Sequence, residues 1–210
     1  MHTLYYSPGA ASMAVHWLLI ELAIPHQLSL VDFESREQKS PAYLELNPHG
    51  VVPTLVIDGR PHAEAAALLV HLADTHPEAR LSPPVDAPRR LDFLQWTFHL
   101  ANVVQPLFRM WWYPHEPAGE GREEAVHAAT RARIESEWAR TDAHLAQHGP
   151  YLLGDWPCAA DFYLTMLMRW SRHMPRPATA WPHLDALAGR MRALPSFREL
   201  YAREGLAEWV

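Results

Sequence analysis

Two short stretches in the first third of the chain hold the residues best placed to do chemistry. One is Ser7-Pro8-Gly9-Ala10-Ala11-Ser12, directly after Thr3-Leu4-Tyr5-Tyr6; the other runs from Asn47-Pro48-His49-Gly50-Val51-Val52-Pro53-Thr54 to Glu64-Ala65. An X-Pro bond is the one peptide context in which the cis form is cheap, about 0.5–1 kcal/mol above trans. A cis bond at Val52-Pro53 would turn the Val52 backbone outward, where its N–H and C=O can pair with a peptide ligand as an added strand does. Leu55-Val56-Ile57, Asp58-Gly59 and Arg60-Pro61-His62 predict a strand, a I′-type turn and a second strand. The helix that follows starts at Glu64 or Ala65, and its free N–H groups favour an anion.

These stretches need a frame to hold them. Thr3–Tyr6 reads as a buried strand stopped by Ser7-Pro8-Gly9. The next segment, with Met13, Trp17, Ile20 and Ile24 among further apolar residues, predicts a helix that is apolar almost all round and packed between a sheet and a second domain; Pro25 ends it. His26 to Phe33 alternates as a second strand, Glu34 to Ser40 is a charged loop, and a short helix is expected around Pro41–Leu46. With the hairpin and a helix from about Glu64 to Thr75, the order is βαβαββα, a mixed sheet with helices on both faces. His76-Pro77 and the Pro-rich run from Arg80 to Pro88 mark the sharpest break in composition. The expected division is therefore 1–78 for the first domain, 79–88 for a linker and 89–210 for a second, all-helical domain. Its predicted helices are Arg89–Trp112, Glu120–His148, Ala159–Arg172, Pro182–Ala193 and Ser196–Tyr201.

Composition narrows the function classes. At 210 residues the chain can bury ordinary cores without staples. Cys158 is the only cysteine, so no internal disulfide forms, and the absence of a leader pattern makes the cytoplasm the expected location. A net charge of −6 argues against a nucleic-acid partner, and no apolar run is long enough to span a membrane. Lys39 is the only lysine and follows Gln38 where a P-loop needs glycine, which disfavours nucleotide-triphosphate chemistry. Of the 14 histidines, His144 and His148 share one helix face but have no third ligand at a recognisable spacing, so no metal is expected.

Tyr5-Tyr6-Ser7-Pro8-Gly9-Ala10-Ala11-Ser12, then Asn47-Pro48-x-Gly50-x-Val52-Pro53, then Glu64, closely resembles the cytosolic glutathione transferases, in particular their bacterial beta-like branch. The likeness covers nearly the whole chain. It implies a thioredoxin-like N-terminal domain followed by an all-α bundle, the glutathione transferase fold, with glutathione as co-substrate and a small hydrophobic electrophile as its partner. It also implies a homodimer and a possible glutathione peroxidase side activity by the same thiolate. A thiol with a pKa near 8.5 is mostly protonated at neutral pH, so the site must favour the ionised sulfur by a hydroxyl or N–H donor and the positive end of a helix. Ser12 is the candidate for this role, with Tyr6 second; the bland alternatives are a serine N-cap worth about 1 kcal/mol and a core tyrosine. The resemblance implies glutathione contacts at Ala11, His49, Val52, Pro53, Glu64, Ala65 and Gln105.

The chain departs from the family pattern at several of these places. Ala11 stands where the beta-like branch usually has cysteine, which excludes thiol-disulfide chemistry there. Ala65 replaces the serine beside Glu64, so the amine partner of the γ-glutamyl end remains and a carboxylate partner is lost. Gln105-Pro106 replaces a His-Lys pair, and Pro106 is expected to kink its helix. Arg109, Trp112 and Tyr113 are candidates for the electrophile pocket, or else bundle core. Gly154-Asp155-x-Pro157-Cys158-Ala159-Ala160-Asp161 matches a helix-capping motif with cysteine in place of the usual hydroxyl. These losses define the alternative reading, a non-catalytic protein of the same fold that binds another small molecule or a protein.

Overall fold

Thr3 to Tyr6 is a short apolar and aromatic run expected to form the first strand, and it becomes the central one. In the computed structural model, which describes residues 1–119 and 121–209, β1 (His2–Tyr6) pairs in parallel with β2 (His26–Leu30). On its other side β1 pairs antiparallel with β3 (Thr54–Ile57), which pairs antiparallel with β4 (Arg60–His62), giving the order β2-β1-β3-β4. Asp58 and Gly59 have φ of 49° and 82°, the two left-handed residues that a I′ turn demands. The helices between these strands are α1 (Ser12–Glu21), α2 (Pro41–Leu46) and α3 (Ala65–Asp74), so the expected βαβαββα order is present. Every residue of α1 from Ser12 to Leu19 is buried, as its all-round apolar pattern requires. Full burial of side chains such as Trp17, Leu18 and Leu19 contributes about 1.5–3 kcal/mol each.

Beyond Pro84 the chain is helical: α4 (Arg90–His99), α5 (Gln105–Trp112), α6 (His115–Ala118), α7 (Glu123–His148), α8 (Ala159–Trp170), α9 (Pro182–Arg192) and α10 (Pro195–Glu204). The single helix expected over Arg89–Trp112 is divided. Leu100–Val104 forms a π-helical turn between α4 and α5. Pro106 has no N–H to donate and its ring crowds the carbonyl one turn back, and a widened turn relieves both. The short α6 was not expected, and the expected helix start at Glu120 lies outside the described residues. Among the described residues, no helix is long and apolar enough to cross a membrane.

The compact units fall differently from the expected domains. The first comprises Met1–Pro84 together with Arg192–Val210, and the second Val85–Met191. Placing 89–210 wholly in the helical domain therefore has to be corrected for its last helix. α10 packs on α1, where Trp17 Nε1–H donates to Ser196 Oγ at 2.9 Å, Ser196 Oγ–H donates to Glu21, and the Trp17 and Phe197 rings lie 5.1 Å apart.

In the second unit, α8 is buried along its whole length. Its entry is held by Asp161, fully buried, whose carboxylate accepts the N–H of Cys158 at 2.8 Å and of Leu152 at 2.9 Å. Cys158 precedes the helix, and burial, reinforced by the neighbouring Asp161, holds its thiol well above the usual range. It is a structural cysteine, not a nucleophile.

Candidate glutathione site

The turn between β1 and α1 closes on itself through Ser12. Its Oγ accepts the Ser7 N–H and donates to the Ser7 carbonyl, both at 3.2 Å, while Ala10 N–H donates to the same carbonyl at 3.1 Å. Ser12 is fully buried and is the first residue inside the helix, with Ala11 as the N-cap and no side-chain cap bond. Its hydroxyl is thus spent on the turn, and it does not cap the helix. Of the two serines of the turn, Ser7 is the one left with an uncommitted hydroxyl: it is half-buried, and its Oγ has no partner among the described residues. The uncapped start of α1 leaves the positive end of the helix beside it. Tyr5 and Tyr6 leave opposite faces of β1, Tyr5 packing edge-on against Tyr43 and Tyr6 against His16. Burial, with a smaller effect of the Glu204 charge, raises the Tyr6 pKa, so its phenol stays protonated.

The second stretch forms a braced loop. Val52-Pro53 is cis. Neither backbone polar group of Val52 has a partner among the described residues, although its side chain is buried with Val31 and Tyr43. The loop before it is fixed by Asn47, whose Nδ2 donates to the Val51 carbonyl (2.8 Å) and Thr54 Oγ1 (3.1 Å), and whose Oδ1 accepts the His49 N–H at 3.1 Å. Tyr43 OH donates to the Val51 carbonyl as well, at 2.8 Å. Gly50 has φ +60°, and a Cβ there would come within 2.6 Å of the Gln38 carbonyl, so both conformation and space require glycine. Lys39 Nζ donates to the His49 carbonyl at 3.1 Å, which brings the one lysine of the chain to the cradle; its sequence signal was only its singularity. The His49 side chain is exposed.

At the start of α3, Glu64 is exposed with φ 69° and ψ 102° and makes no capping bond. A non-glycine residue in that region costs about 1–3 kcal/mol and is characteristic of ligand clamps. The first N–H groups of α3 are consequently uncapped, and Ala65 is buried beside them. Thus Ser7, Val52 and the first turn of α3 all present unpaired donors, with Glu64 as an adjacent anion.

On the helical unit the expected residues are placed as follows. Gln105 Oε1 accepts a hydrogen bond from Tyr163 OH. Arg109 Nε donates to Glu116 at 2.9 Å, and its guanidinium lies 4.9 Å from the Tyr113 ring centre. Its charge is therefore already paired, by a partner on the unexpected α6. Trp112 packs against Phe108 and Trp170, yet 43% of it remains exposed, as does 43% of Tyr113. His144 Nε2 bonds the Leu152 carbonyl at 2.9 Å, a structural role.

A sequence model of the glutathione S-transferase N-terminal domain matches residues 10–75, the segment that carries the braced loop and α3. Glutathione S-transferase GST-4.5 of Xanthomonas campestris is 35% identical over 97% of this chain and 98% of its own length. The chain belongs to the glutathione S-transferase family. Glutathione S-transferase GstA of Escherichia coli O157:H7 is 28% identical over 97% of the chain and 98% of its own length. Among solved structures, a Sulfitobacter glutathione transferase homolog with bound glutathione superposes with a TM-score of 0.90 at 28% identity, covering 99% of each chain. A beta-class transferase from Sphingomonas chungbukensis superposes at 0.86 with 27% identity, over 98% of this chain and all of its own. The transferase fold, thioredoxin-like unit first and helices after, is the fold of this chain.

Proposed function

We propose that this glutathione transferase binds glutathione along the first unit and transfers its thiolate to a small hydrophobic electrophile. The observation that carries this is the unpaired N–H and C=O of Val52 at the mouth of the cis Val52-Pro53 bond, a backbone edge suited to the cysteinyl backbone of a tripeptide. Glu64 takes the γ-glutamyl amine, and the uncapped first turn of α3 takes its carboxylate in place of the missing serine hydroxyl. Lys39 and His49 lie in the loop available to the glycyl carboxylate. The thiol proton leaves to solvent, and the resulting thiolate is favoured by the Ser7 hydroxyl and the positive end of α1; Ser12 acts on it indirectly by fixing Ser7. The thiolate pair then forms the new carbon–sulfur bond while the electrophile's leaving group departs with its own pair. On the helical unit, Trp112 and Tyr113 supply apolar surface for the electrophile. The same thiolate can attack a hydroperoxide, breaking its O–O bond to release the alcohol and leave glutathione sulfenic acid, which a second glutathione thiol converts to the disulfide with loss of water; this is the peroxidase side activity. We place the protein in the cytoplasm.

Calorimetric titration of glutathione at neutral pH tests this reading. The expected result is micromolar to low-millimolar binding to the wild type and to Ser7→Ala, with conjugation by Ser7→Ala reduced about tenfold, the effect of losing one hydrogen bond of about 1.5 kcal/mol to the charged sulfur. Ser12→Ala should weaken both binding and conjugation, because it loosens the whole turn. Absence of heat with the wild type and an unchanged melting temperature at high ligand concentration would favour the non-catalytic alternative.

The partner copy is a second element of the proposal. Leu91 and Phe98 lie on one face of α4 and are 72% and 48% exposed, an apolar strip suited to a second chain. Light scattering at micromolar concentration should return twice the 24.0 kDa chain mass; the monomer mass would refute the dimer.

A further inference from the structure

The end of α5 gathers a cation and two aromatic rings on one side. At about 100° per residue, Arg109, Trp112 and Tyr113 fall within roughly a third of the helix circumference, and both rings are partly open to solvent. Trp111, between them in sequence, is used differently: it stacks on His127 of α7 with ring centres 3.5 Å apart and planes 18° from parallel, which ties this turn to the long helix. The Arg109 guanidinium lies 4.9 Å from the Tyr113 ring centre and donates to both oxygens of one carboxylate, Nε–H to Glu116 Oε2 at 2.9 Å and Nη2–H to Glu116 Oε1. Two parallel N–H···O bonds from a planar fork are the arrangement by which arginine recognises a carboxylate. Glu116 stands on α6, a helix of only four residues, and the side chains of the pair are 60% and 40% exposed. Ion pairs this open to water are weak, so a ligand's carboxylate can take the place of Glu116 at little cost. A carboxylate-recognising fork is thus set beside two aromatic faces, with a carboxylate of the chain itself in the ligand's position.

We propose that Arg109 makes this transferase selective for electrophiles that carry a carboxylate on a planar apolar body: the carboxylate displaces Glu116 from the Arg109 fork while the body lies against Trp112 and Tyr113. This rests on the transferase reading above and names its substrate class. Glu116 is the internal competitor. It holds the guanidinium against Tyr113 while no acid is bound, and the apparent affinity for an acid is lowered by the fraction of time that the pair is closed.

A matched pair of probes tests this: 4-chloro-3-nitrobenzoate and the neutral 4-chloro-3-nitrobenzamide. With glutathione both react in the same way, the thiolate sulfur bonding to the chlorine-bearing carbon and chloride leaving with the bonding pair. Without glutathione both are inert ligands, and their binding is read from quenching of tryptophan fluorescence. The quantity compared is the preference for the acid over the amide, taken from the dissociation constants and again from KM. In the wild type it is expected to be about tenfold. Arg109→Gln should bring it to about one. Glu116→Gln should raise it about a further fivefold, the effect of removing one competing surface ion pair. The double variant should return it to about one, because Glu116 acts only through Arg109. Arg131→Gln is the control for charge at large: it breaks a comparable pair on α7, Arg131 Nε to Glu135 Oε1 at 2.7 Å, and should leave the preference in place. Arg109, Glu116 and Arg131 all lie at the surface, so the variants are expected to fold. A wild type that binds neither probe or binds them equally, a preference that survives Arg109→Gln, no rise in Glu116→Gln, or an equal fall in Arg131→Gln would each overturn the proposal. Conjugation of both probes without preference for the acid would do the same and leave the transferase reading intact. Acid binding that depends on Arg109 in a protein that conjugates neither probe would remove that reading and keep the carboxylate site.

Discussion

Replacing Asp161 with alanine is expected to destabilise the protein by about 4 kcal/mol and to lower its melting temperature by roughly 10 °C. Among the described residues the carboxylate is the acceptor for the N–H groups of Leu152 and Cys158, and each buried donor left without a partner costs about 1–3 kcal/mol. Urea denaturation monitored by far-ultraviolet circular dichroism would measure the loss, and a change below about 1 kcal/mol would mean that water replaces the carboxylate at no cost. The same residue gives a pH signature. Burial pushes its pKa up to about 6, against the pull of its two N–H donors. Between its ordinary value and about 6 the folded chain binds this proton more tightly than the unfolded chain does. Its contribution is therefore largest at the acid end and is lost as pH rises through about 6. Asp161→Asn abolishes that titration, so the advantage of the wild type over this variant should be wider near pH 4.5 than near pH 7, by about 2 kcal/mol. A gap that is flat or widens with pH would contradict the raised pKa.

Glu64 carries the second large effect. Glu64→Gln is expected to raise the glutathione dissociation constant by one to two orders of magnitude, because a hydrogen bond to the charged γ-glutamyl amine contributes about 1.5–3 kcal/mol. Glu64 is exposed and makes no capping bond, so stability should be unaffected. Ala65→Ser, which returns a hydroxyl to the first turn of α3, should lower the constant about tenfold. Calorimetry on both variants reads the two ends of one binding group. Glu64→Gln with wild-type affinity would take Glu64 out of the site, and no gain from Ala65→Ser would show that the helix N–H groups alone satisfy the carboxylate.

Much of the first unit was legible because its signals are local. A turn type is written in Asp58-Gly59 and a cis-permissive bond in Val52-Pro53, and the structure follows both; the first helix, expected to run to Pro25, instead ends at Glu21, just before Ala23 takes φ 52°. Features set by side-chain direction or by distant packing were not. Ser12 was readable as a hydroxyl at a helix start, but whether it faces outward or back to Ser7 is a rotamer choice that the sequence does not encode. Pro106 announced a disturbance without saying that it would take the form of a widened turn at Leu100–Val104. The assignment of α10 to the first unit depends on partners such as Trp17 and Ser196, far apart in the chain. His16 did leave a trace, being the one polar side chain between Met13 and Leu19 in an otherwise apolar segment. A lone histidine in such a run calls for a buried partner, and Glu204 is that partner.

The return of α10 to the first unit also has a bearing on protein synthesis. The sheet and α1–α3 leave the ribosome long before residues 195–204 are made, and until then Trp17 and His16 have neither Ser196 nor Glu204 to meet them. For that interval the nascent chain exposes a partly dressed apolar helix, a surface on which chaperones and proteases act. Completion of the first unit therefore awaits the last helix to be translated, and a chain cut short before it would keep that apolar surface exposed.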